Sequence, residues 1–292
     1  MEVVKLNLKS KESSPLLREV IRCVALAKQC IIITGAGISC SGGIPDFSSS
    51  DGLYNKIKKQ YSGTFRSGKD LFDARLHRTH ESIKAFNLFM GLLKKLIVNA
   101  KPTATHFFIK KLADMKKLKR VYTQNIDSLE EVVGLNVDWQ FERVKNYQAQ
   151  VVQLHGTMAN LRCNVCTNIY PFTQQFCDIF KQGRRPHTIG HLKPTVILYD
   201  DSHPKGLEIG KIAKHDEKKA DCLIIMGTSL RIPGVKALIK DFASAVHNHK
   251  EGACDEWVEL VNIELSNVEK MTATRPSKNQ LTKTNNKIQY KI

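Results

Sequence analysis

An α/β protein is the fold class that this sequence predicts, with a Rossmann-like, doubly wound parallel sheet and a small inserted, cysteine-containing module. Five short apolar runs each end in small or polar residues, and helical patterns separate several of these runs. Polar residues that follow parallel strands are typical of ligand sites in open α/β sheets. Residues 157–193 show little helix or strand pattern and carry a cysteine pair. We therefore expect them to form the insert, as a complete or a degenerate zinc ribbon.

Composition indicates how large a core the chain can form and which kinds of partner its charge favours. The 292 residues are 42% hydrophobic, which allows a sizeable core. Lysine and arginine number 45 against 28 acidic residues, for a net charge of +17. This excess favours an anionic partner such as DNA, RNA or chromatin, and a solvated basic surface is the alternative. No signal-peptide pattern precedes residue 16 and no apolar run could span a bilayer, so we expect no membrane partner.

Changes in composition divide the chain into four parts. We expect a loose N-terminus over residues 1–15 and a Rossmann-like domain built from 16–156 and 194–267. The small module over 157–193 interrupts that domain. The basic, polar tail over 268–292 has too few apolar residues to fold by itself, so we expect disorder there.

The layout is organised around the strand that begins at Cys30. A helical pattern over 16–28 leads into the β-branched run Cys30–Thr34, which predicts a buried strand. A glycine turn over 35–37 follows, with a second glycine pair at 42–43. When such a turn opens a helix, the backbone can approach a phosphate and the helix offers free N–H groups. The sequence therefore predicts a phosphate site, and an ordinary strand–helix turn is the alternative.

A second candidate ligand segment lies in the middle of the chain. Helical patterns over 81–98 and 105–119 follow a polar, aromatic stretch at 51–68 that suits a mobile loop over a site. A short strand over 120–123 then runs into the sequence QNID at 124–127. These polar residues either line a ligand site or close a turn through local hydrogen bonds.

A histidine at the end of a strand is the candidate general base. The β-branched run 151–154 ends in His155 and Gly156. Imidazole titrates near neutral pH, and the glycine leaves room beside it. A hydrogen-bonded core histidine is the alternative.

Cys163 and Cys166 have the spacing of half a tetrahedral zinc site. No second Cys-x-x-Cys follows, so the remaining ligands would be Cys177 with His187 or His191. A small loop module without metal is the alternative.

Three further strands complete the expected sheet. Two aspartates and a histidine follow the run 194–199. They suit acid–base or metal chemistry, and a polar turn is the alternative. The very hydrophobic run 220–226 ends in Gly-Thr-Ser, a helix follows over 235–246, and a last strand covers 257–263.

The ordered sequences GAGIS, GIPDF, TQNID, LHG, CxxC and GTSL resemble those of the sirtuins, the NAD-dependent protein lysine deacylases. The resemblance covers about residues 16–267. The runs GIPDFSSSDGLY and TQNIDSLE are most similar to the fungal nuclear branch that deacetylates a core histone.

The resemblance implies specific roles for residues of this chain. His155 would remove a proton from a ribose hydroxyl of NAD, and Asn125 and Asp127 would complete the catalytic group. The implied NAD-binding residues are Gly35, Ala36 and Gly37 at the pyrophosphate; Gly227, Thr228, Ser229 and Asn262 at the adenosine side; Ile44, Pro45, Asp46, Asn125, Ile126 and Asp127 at the nicotinamide; and Ser39, Phe47, Tyr54 and Gln124.

The resemblance also implies an activity: transfer of an acetyl group from a histone or other chromatin lysine to ADP-ribose, with release of nicotinamide. The expected partners are acetylated proteins and, through the basic surface, chromatin or DNA; the expected location is the nucleus, with the cytoplasm as a second one. Two departures keep an alternative open. Ser48 stands where the family has arginine, and a second cysteine pair is missing. The alternative is a weakened or inactive module that binds NAD or ADP-ribose.

Overall fold

The structure is a computed structural model that describes residues 2–6, 14–44, 68–73, 79–137, 149–181, 191–199, 201–248 and 271–275. The described α-helices are α1 Ser14–Leu26, α2 His80–Asn99, α3 Ala104–Asp114, α4 Leu129–Val132, α5 Gln174–Lys181, α6 Gly206–Glu217 and α7 Pro233–Asn248. The described strands are β1 Glu2–Leu6, β2 Cys30–Thr34, β3 Leu118–Thr123, β4 Val151–Gln153, β5 Gly156–Cys163, β6 Ile169–Pro171, β7 Leu192–Val196, β8 Cys222–Met226 and β9 Met271–Arg275.

A four-stranded parallel sheet forms the centre of the fold, in the order β4-β3-β2-β8. Every residue of β2 and of β8 is buried. Continuous apolar strands of this kind fit a sheet that is covered on both faces. The predicted parallel sheet is thus confirmed, and four of the predicted strands form it.

Helices cover both faces of this sheet. On one face, Val20 of α1 and Ile109 of α3 pack against Ile32 of β2. On the other, Ile212 of α6 and Phe242 of α7 belong to the buried cluster that contains the opposite face of the sheet. The doubly wound arrangement is confirmed. None of the described helices is both long and apolar enough to cross a membrane.

The strand predicted over 194–199 does not join the parallel sheet, so that part of the prediction is wrong. β7 pairs antiparallel with β5 in a separate three-stranded sheet of order β6-β5-β7. Its residues alternate between buried and half-buried, whereas those of β2 are all buried. A strand with one apolar face suits the edge of a small antiparallel sheet.

The inserted module is more regular than its sequence predicted. β5 is eight residues long, and its buried residues include Met158, Leu161 and Cys163. A register shift between Thr157 and Leu161 interrupts the strict alternation that would have marked a strand. The expectation of little secondary structure in this segment is therefore wrong.

Two further boundaries differ from the predictions. The helix predicted over 105–119 ends at Asp114, because Lys116 takes a left-handed conformation (φ 58°) that closes a helix, and β3 begins at Leu118. The chain ends are not uniformly loose, since β1 pairs antiparallel with β9. β1 has two valines and β9 has two threonines, and both residue types favour strands.

One buried charge cluster ties the sheet to α6. The carboxylate of Asp216, which is fully buried, accepts hydrogen bonds from Arg120 Nε at 2.5 Å and from the Tyr122 hydroxyl at 2.8 Å. Arg120 also donates to the backbone carbonyl of Ala149. Burial of Tyr122 beside this carboxylate raises the pKa of its phenol. The cluster links β3 to the helical layer that covers it.

Candidate active site

The candidate site lies where the parallel strands end. The turns that follow β2, β3, β4 and β8 meet at the carboxyl edge of the central sheet. This is the edge at which open α/β sheets bind ligands. Four of the sequence-predicted segments are therefore neighbours in the fold, and hydrogen bonds connect them.

The glycine turn after β2 packs directly against the turn after β8. A Cβ atom at Gly35 would lie 2.7 Å from the Gly227 carbonyl oxygen, and one at Gly37 would lie 2.8 Å from the Gly227 Cα. The N–H of Gly35 donates to the Met226 carbonyl at 3.0 Å, and that of Gly37 donates to Gly227 at 2.9 Å. These glycines let the two turns form one unit.

Within the described residues 35–44, no α-helix follows the glycine turn. Two short 3-10 turns, Ala36–Ile38 and Cys40–Gly42, take its place, and Gly43 then adopts a left-handed conformation (φ 101°). The N–H groups of Ile38 and Ser39 donate within the turn, to Gly35 and Ala36. The expected dipole of a helix N-terminus is therefore not a feature of this turn.

Ser39 connects the glycine turn to the segment after β3. Its hydroxyl donates to Asp127 Oδ2 at 2.7 Å and accepts from the Asn125 amide at 3.2 Å. Asp127 Oδ1 accepts from the Leu129 N–H at 3.0 Å. Asn125 and Asp127 are only 6% and 7% exposed. These contacts hold the Asn125 amide in a nearly dry environment.

Gln124 joins three strand ends. Its side-chain amide donates to the Thr34 carbonyl at 3.1 Å and to the Thr228 hydroxyl at 2.8 Å. The backbone carbonyl oxygen of Gln124 lies 2.9 Å from His155 Nδ1. One residue thus couples the turns after β2, β4 and β8.

The hydrogen bond at His155 defines the tautomer of the ring. Because a carbonyl oxygen can only accept, Nδ1 carries the proton and Nε2 of the neutral ring keeps a lone pair. Burial lowers the pKa of His155. Gly156 has φ 76°, and a Cβ there would lie 2.0 Å from the Thr195 carbonyl oxygen. The chain turns sharply after a histidine that can accept a proton.

Comparison with known proteins identifies the fold and the family. The Sir2 family matches residues 35–234, which is more than half of the chain. The chain belongs to the Sir2 family. Solved Sir2 structures share this fold: a Sir2 variant with a deacetylated p53 peptide and 3′-O-acetyl ADP-ribose has a TM-score of 0.63 at 22% identity, covering 83% of this chain and 85% of that one. A second Sir2 enzyme structure has a TM-score of 0.60 at 26% identity, covering 93% and 90%.

Curated relatives are more similar in sequence. The NAD-dependent histone deacetylase HST3 of Candida albicans is 40% identical over 268 residues, which cover 81% of this Sir2-family chain and 55% of that protein. HST3 of Saccharomyces cerevisiae is 36% identical, covering 80% and 59%. The NAD-dependent protein deacetylase hst4 of Schizosaccharomyces pombe is 36% identical, covering 80% and 60%. The chain therefore spans 55–60% of these relatives.

Other predicted site residues divide into two groups. Ile44 is buried in the cluster around α2, Ile126 is half-buried, and the side chain of Ser229 is exposed. The remaining predicted positions lie outside the described residues: Pro45, Asp46, Phe47, Ser48, Tyr54, His187, Asp200 and Asn262, with the loop over 51–67 and the strand over 257–263.

The cysteine pair of this Sir2-family chain lies at the end of β5. The Val165 N–H donates to Cys163 Sγ at 3.4 Å, and backbone N–H groups lower the pKa of the Cys163 thiol. Cys177, a predicted third ligand, does not lie with Cys163 and Cys166. It is buried on α5 against Gly91 of α2, and burial raises the pKa of its thiol. Within the described ranges, no third ligand joins Cys163 and Cys166 in a group that could hold a metal ion. The described residues thus supply half of a zinc site.

Two polar residues that sequence reasoning missed lie behind Asp127. His106 of α3 and Glu130 of α4 are both almost fully buried. The sequence offers only a weak signal for them: His106 is the third helical residue after Thr103, a position from which a side chain can cap a helix.

Gly227→Ala is expected to weaken ADP-ribose binding at least about tenfold. A Cβ there would lie 2.5 Å from the Ile38 nitrogen, so the two turns would have to separate, and the left-handed backbone (φ 65°) disfavours alanine. Titration calorimetry measures the change. The matched control is Gly210→Ala in α6, where an added Cβ meets nothing within 4 Å. Equal affinities in the two variants would contradict the prediction.

Proposed function

We propose that this Sir2-family chain is an NAD-dependent protein-lysine deacetylase that acts on histones or another chromatin protein. The observation that carries the proposal is the position of His155. Its Nδ1 is tied to Gln124, next to the Asn125 amide, and its Nε2 is left to accept a proton. When bound, NAD supplies the nicotinamide leaving group and the ADP-ribose acceptor for the acetyl group.

The polar groups present suit NAD chemically. A carboxamide and a ribose need both donors and acceptors, and the edge of the sheet offers the Asn125 amide, the Ser39 hydroxyl and the His155 ring. We assign the nicotinamide end to the Asn125 side and the adenosine end to Gly227, Thr228 and Ser229. The predicted contacts by Pro45, Asp46, Phe47, Tyr54 and Asn262 remain part of this proposal.

Each described residue then has a defined task. His155 accepts the proton of a ribose hydroxyl, as a general base beside the sugar. Ser39 and Asp127 hold the Asn125 amide. The low exposure of Asn125 and Asp127 keeps water from the ribose carbon that nicotinamide leaves. Gln124 keeps the three turns in register, so that the base and the amide stay in place.

The substrate assignment has two supports. The Candida and Saccharomyces relatives are named histone deacetylases. A net charge of +17 suits work on chromatin, because it attracts polyanions such as DNA. We accordingly propose a nuclear location. Zinc has no part in the proposed steps.

The proposal is tested by incubating the protein with an acetylated histone peptide, with and without NAD, and following the peptide by mass spectrometry. We expect loss of the acetyl mass only when NAD is present. A peptide that keeps its acetyl group with NAD, across several histone lysines and a non-histone acetylated peptide, would contradict the proposal.

The rate is expected to depend on pH through His155. A base must be neutral to accept a proton, so activity rises as the ring loses its own proton. Because burial lowers the pKa of His155 below its ordinary 6.5, the midpoint of this rise should lie below pH 6.5. Measurement of kcat/KM from pH 5 to pH 8 checks this. A midpoint above pH 6.5 would contradict the assignment.

A further inference from the structure

A buried cluster of three titratable groups lies directly behind the candidate site. One ring nitrogen of His106 and one carboxyl oxygen each of Asp127 and Glu130 lie within 4.8 Å of one another. His106 is 0% exposed, Glu130 is 1% exposed and Asp127 is 7% exposed. Two carboxyl groups are therefore held close together, almost without water.

Among the residues that the structure describes, no positive charge compensates these two carboxyl groups. The backbone N–H of Thr103 donates to His106 Nδ1 at 3.1 Å, so Nδ1 offers a lone pair and the proton of the neutral ring is on Nε2. Burial lowers the pKa of His106 to about 4. Among the described residues, no lysine or arginine forms an ion pair with Asp127 or Glu130. Two buried carboxyl groups at this spacing, without a cation, resist ionising together, so one keeps its proton over a pH range in which the other has lost its own.

The hydrogen bonds indicate which carboxyl group keeps the proton. Asp127 accepts from Ser39 at 2.7 Å and from Leu129 at 3.0 Å, and both bonds favour its ionised form. Glu130 Oε1 has a longer contact of 3.5 Å with the Thr34 hydroxyl, and Glu130 Oε2 has no hydrogen-bond partner within the described ranges. The groups that face Glu130 are the hydroxyls of Thr34 and Thr123, and Asp127 and His106. The proton therefore resides on Glu130.

We propose that Glu130 is a positioning residue of the active site that acts as an uncharged carboxylic acid. By remaining neutral it lets Asp127 stay ionised, and Asp127 in turn holds Ser39 and, through it, the Asn125 amide. The role in catalysis rests on the proposed function; the protonation of Glu130 does not. Burial and the adjacent Asp127 charge raise the pKa of Glu130 to about 7, in agreement with this arrangement.

A metal ion is the competing occupant of such a cluster, and the hydrogen bonds disfavour it. A metal needs a lone pair on the histidine. His106 Nδ1 already accepts from Thr103, and Nε2 then carries the proton. A proton on Glu130 suits these contacts better than a cation bound to all three residues.

The first test uses kinetics with three variants. Glu130→Ala should lower kcat about tenfold or more, with less than about threefold change in KM for the peptide, because the amide is misplaced rather than removed. Glu130→Gln keeps an uncharged side chain of similar shape, so it should retain most of kcat. In wild type we expect the rate to decline as Glu130 ionises above about pH 7, and Glu130→Gln should lose this decline. The matched control is Glu131→Gln, an exposed neighbour that should behave as wild type. An unchanged alkaline decline in Glu130→Gln would overturn the proposal.

The second test needs no catalysis: the melting temperature of wild type and Glu130→Gln from pH 4 to pH 8. The native protein keeps the Glu130 proton up to about pH 7, whereas an unfolded glutamate loses it near the ordinary pKa of 4.5. Native wild type thus binds the extra proton between these values, and its stability relative to Glu130→Gln should fall from pH 4.5 to pH 7 and level off above, by about 5 °C in total.

The two tests separate the two proposals. If wild type shows this pH-dependent difference but no deacetylation, the protonation of Glu130 stands and the proposed activity fails. A melting difference that does not change with pH would overturn the inference. So would a rise in melting temperature on addition of zinc in wild type that Glu130→Gln lacks, since that result would assign the cluster to a metal ion.

Discussion

Replacement of His155 by alanine is expected to lower the rate of NAD-dependent deacetylation by about 10²–10⁴-fold, the usual contribution of a positioned general base. In the proposed mechanism the ring accepts the proton through Nε2, because Nδ1 donates to the Gln124 backbone carbonyl. Alanine removes the base but leaves the turns after β2, β3 and β8 connected through Gln124. Initial rates at saturating NAD and acetylated peptide measure the effect.

Two controls separate loss of the base from loss of the site. ADP-ribose should bind to the His155→Ala protein within about threefold of its affinity for wild type, because the bonds around Ser39 and Gln124 remain. His247→Ala removes a histidine from the last turn of α7 and should leave the rate unchanged. If His155→Ala retains the wild-type rate, the assignment of the base is contradicted.

Asp216→Asn is expected to lower the free energy of unfolding by about 3–5 kcal/mol, the cost of leaving a buried charge without its partner. Asp216 and Arg120 are both fully buried, and Nε of Arg120 lies 2.5 Å from Asp216 Oδ2. An uncharged amide cannot compensate the guanidinium, which has no water around it. Denaturant unfolding measures the change.

The matched control for this prediction is Asp241→Asn. Asp241 pairs with Lys214 at 3.4 Å at the surface, where both side chains are half-exposed or more. Exposed pairs contribute little, so we expect a change below about 1 kcal/mol. The double replacement Arg120→Met with Asp216→Leu should recover part of the stability that Asp216→Asn loses. Equal losses at positions 216 and 241 would contradict the role assigned to the buried cluster.

The strands of the central sheet could be predicted because local pattern and burial agree there. Cys30–Thr34 and Cys222–Met226 are short, apolar and bounded by glycine, and both are fully buried. The position of His155 at the edge of the sheet could also be predicted, because it stands between a buried strand and a glycine; its role as a base stays a prediction. These features depend on residues that are adjacent in the sequence.

Other features depend on contacts between distant segments, which the pattern does not contain. β7 looked like another strand of the parallel sheet, but its partner β5 decides which sheet it joins. Glu130 and Glu131 are adjacent acids with equal sequence signals, yet one is 1% exposed and the other is exposed. Arg120 follows a lysine and has no local signal for burial, yet it is fully buried beside Asp216 of α6. Long-range packing determines each of these outcomes.

The most direct measurement counts two products in the same reaction: nicotinamide released and acetyl groups removed from a histone peptide. A site at which NAD and acetyl-lysine react together predicts equal amounts of both at every time point, and neither product when peptide or NAD is withheld. Nicotinamide released at the same rate without peptide, or acetyl groups removed without NAD, would contradict a deacetylase site at the ends of these strands.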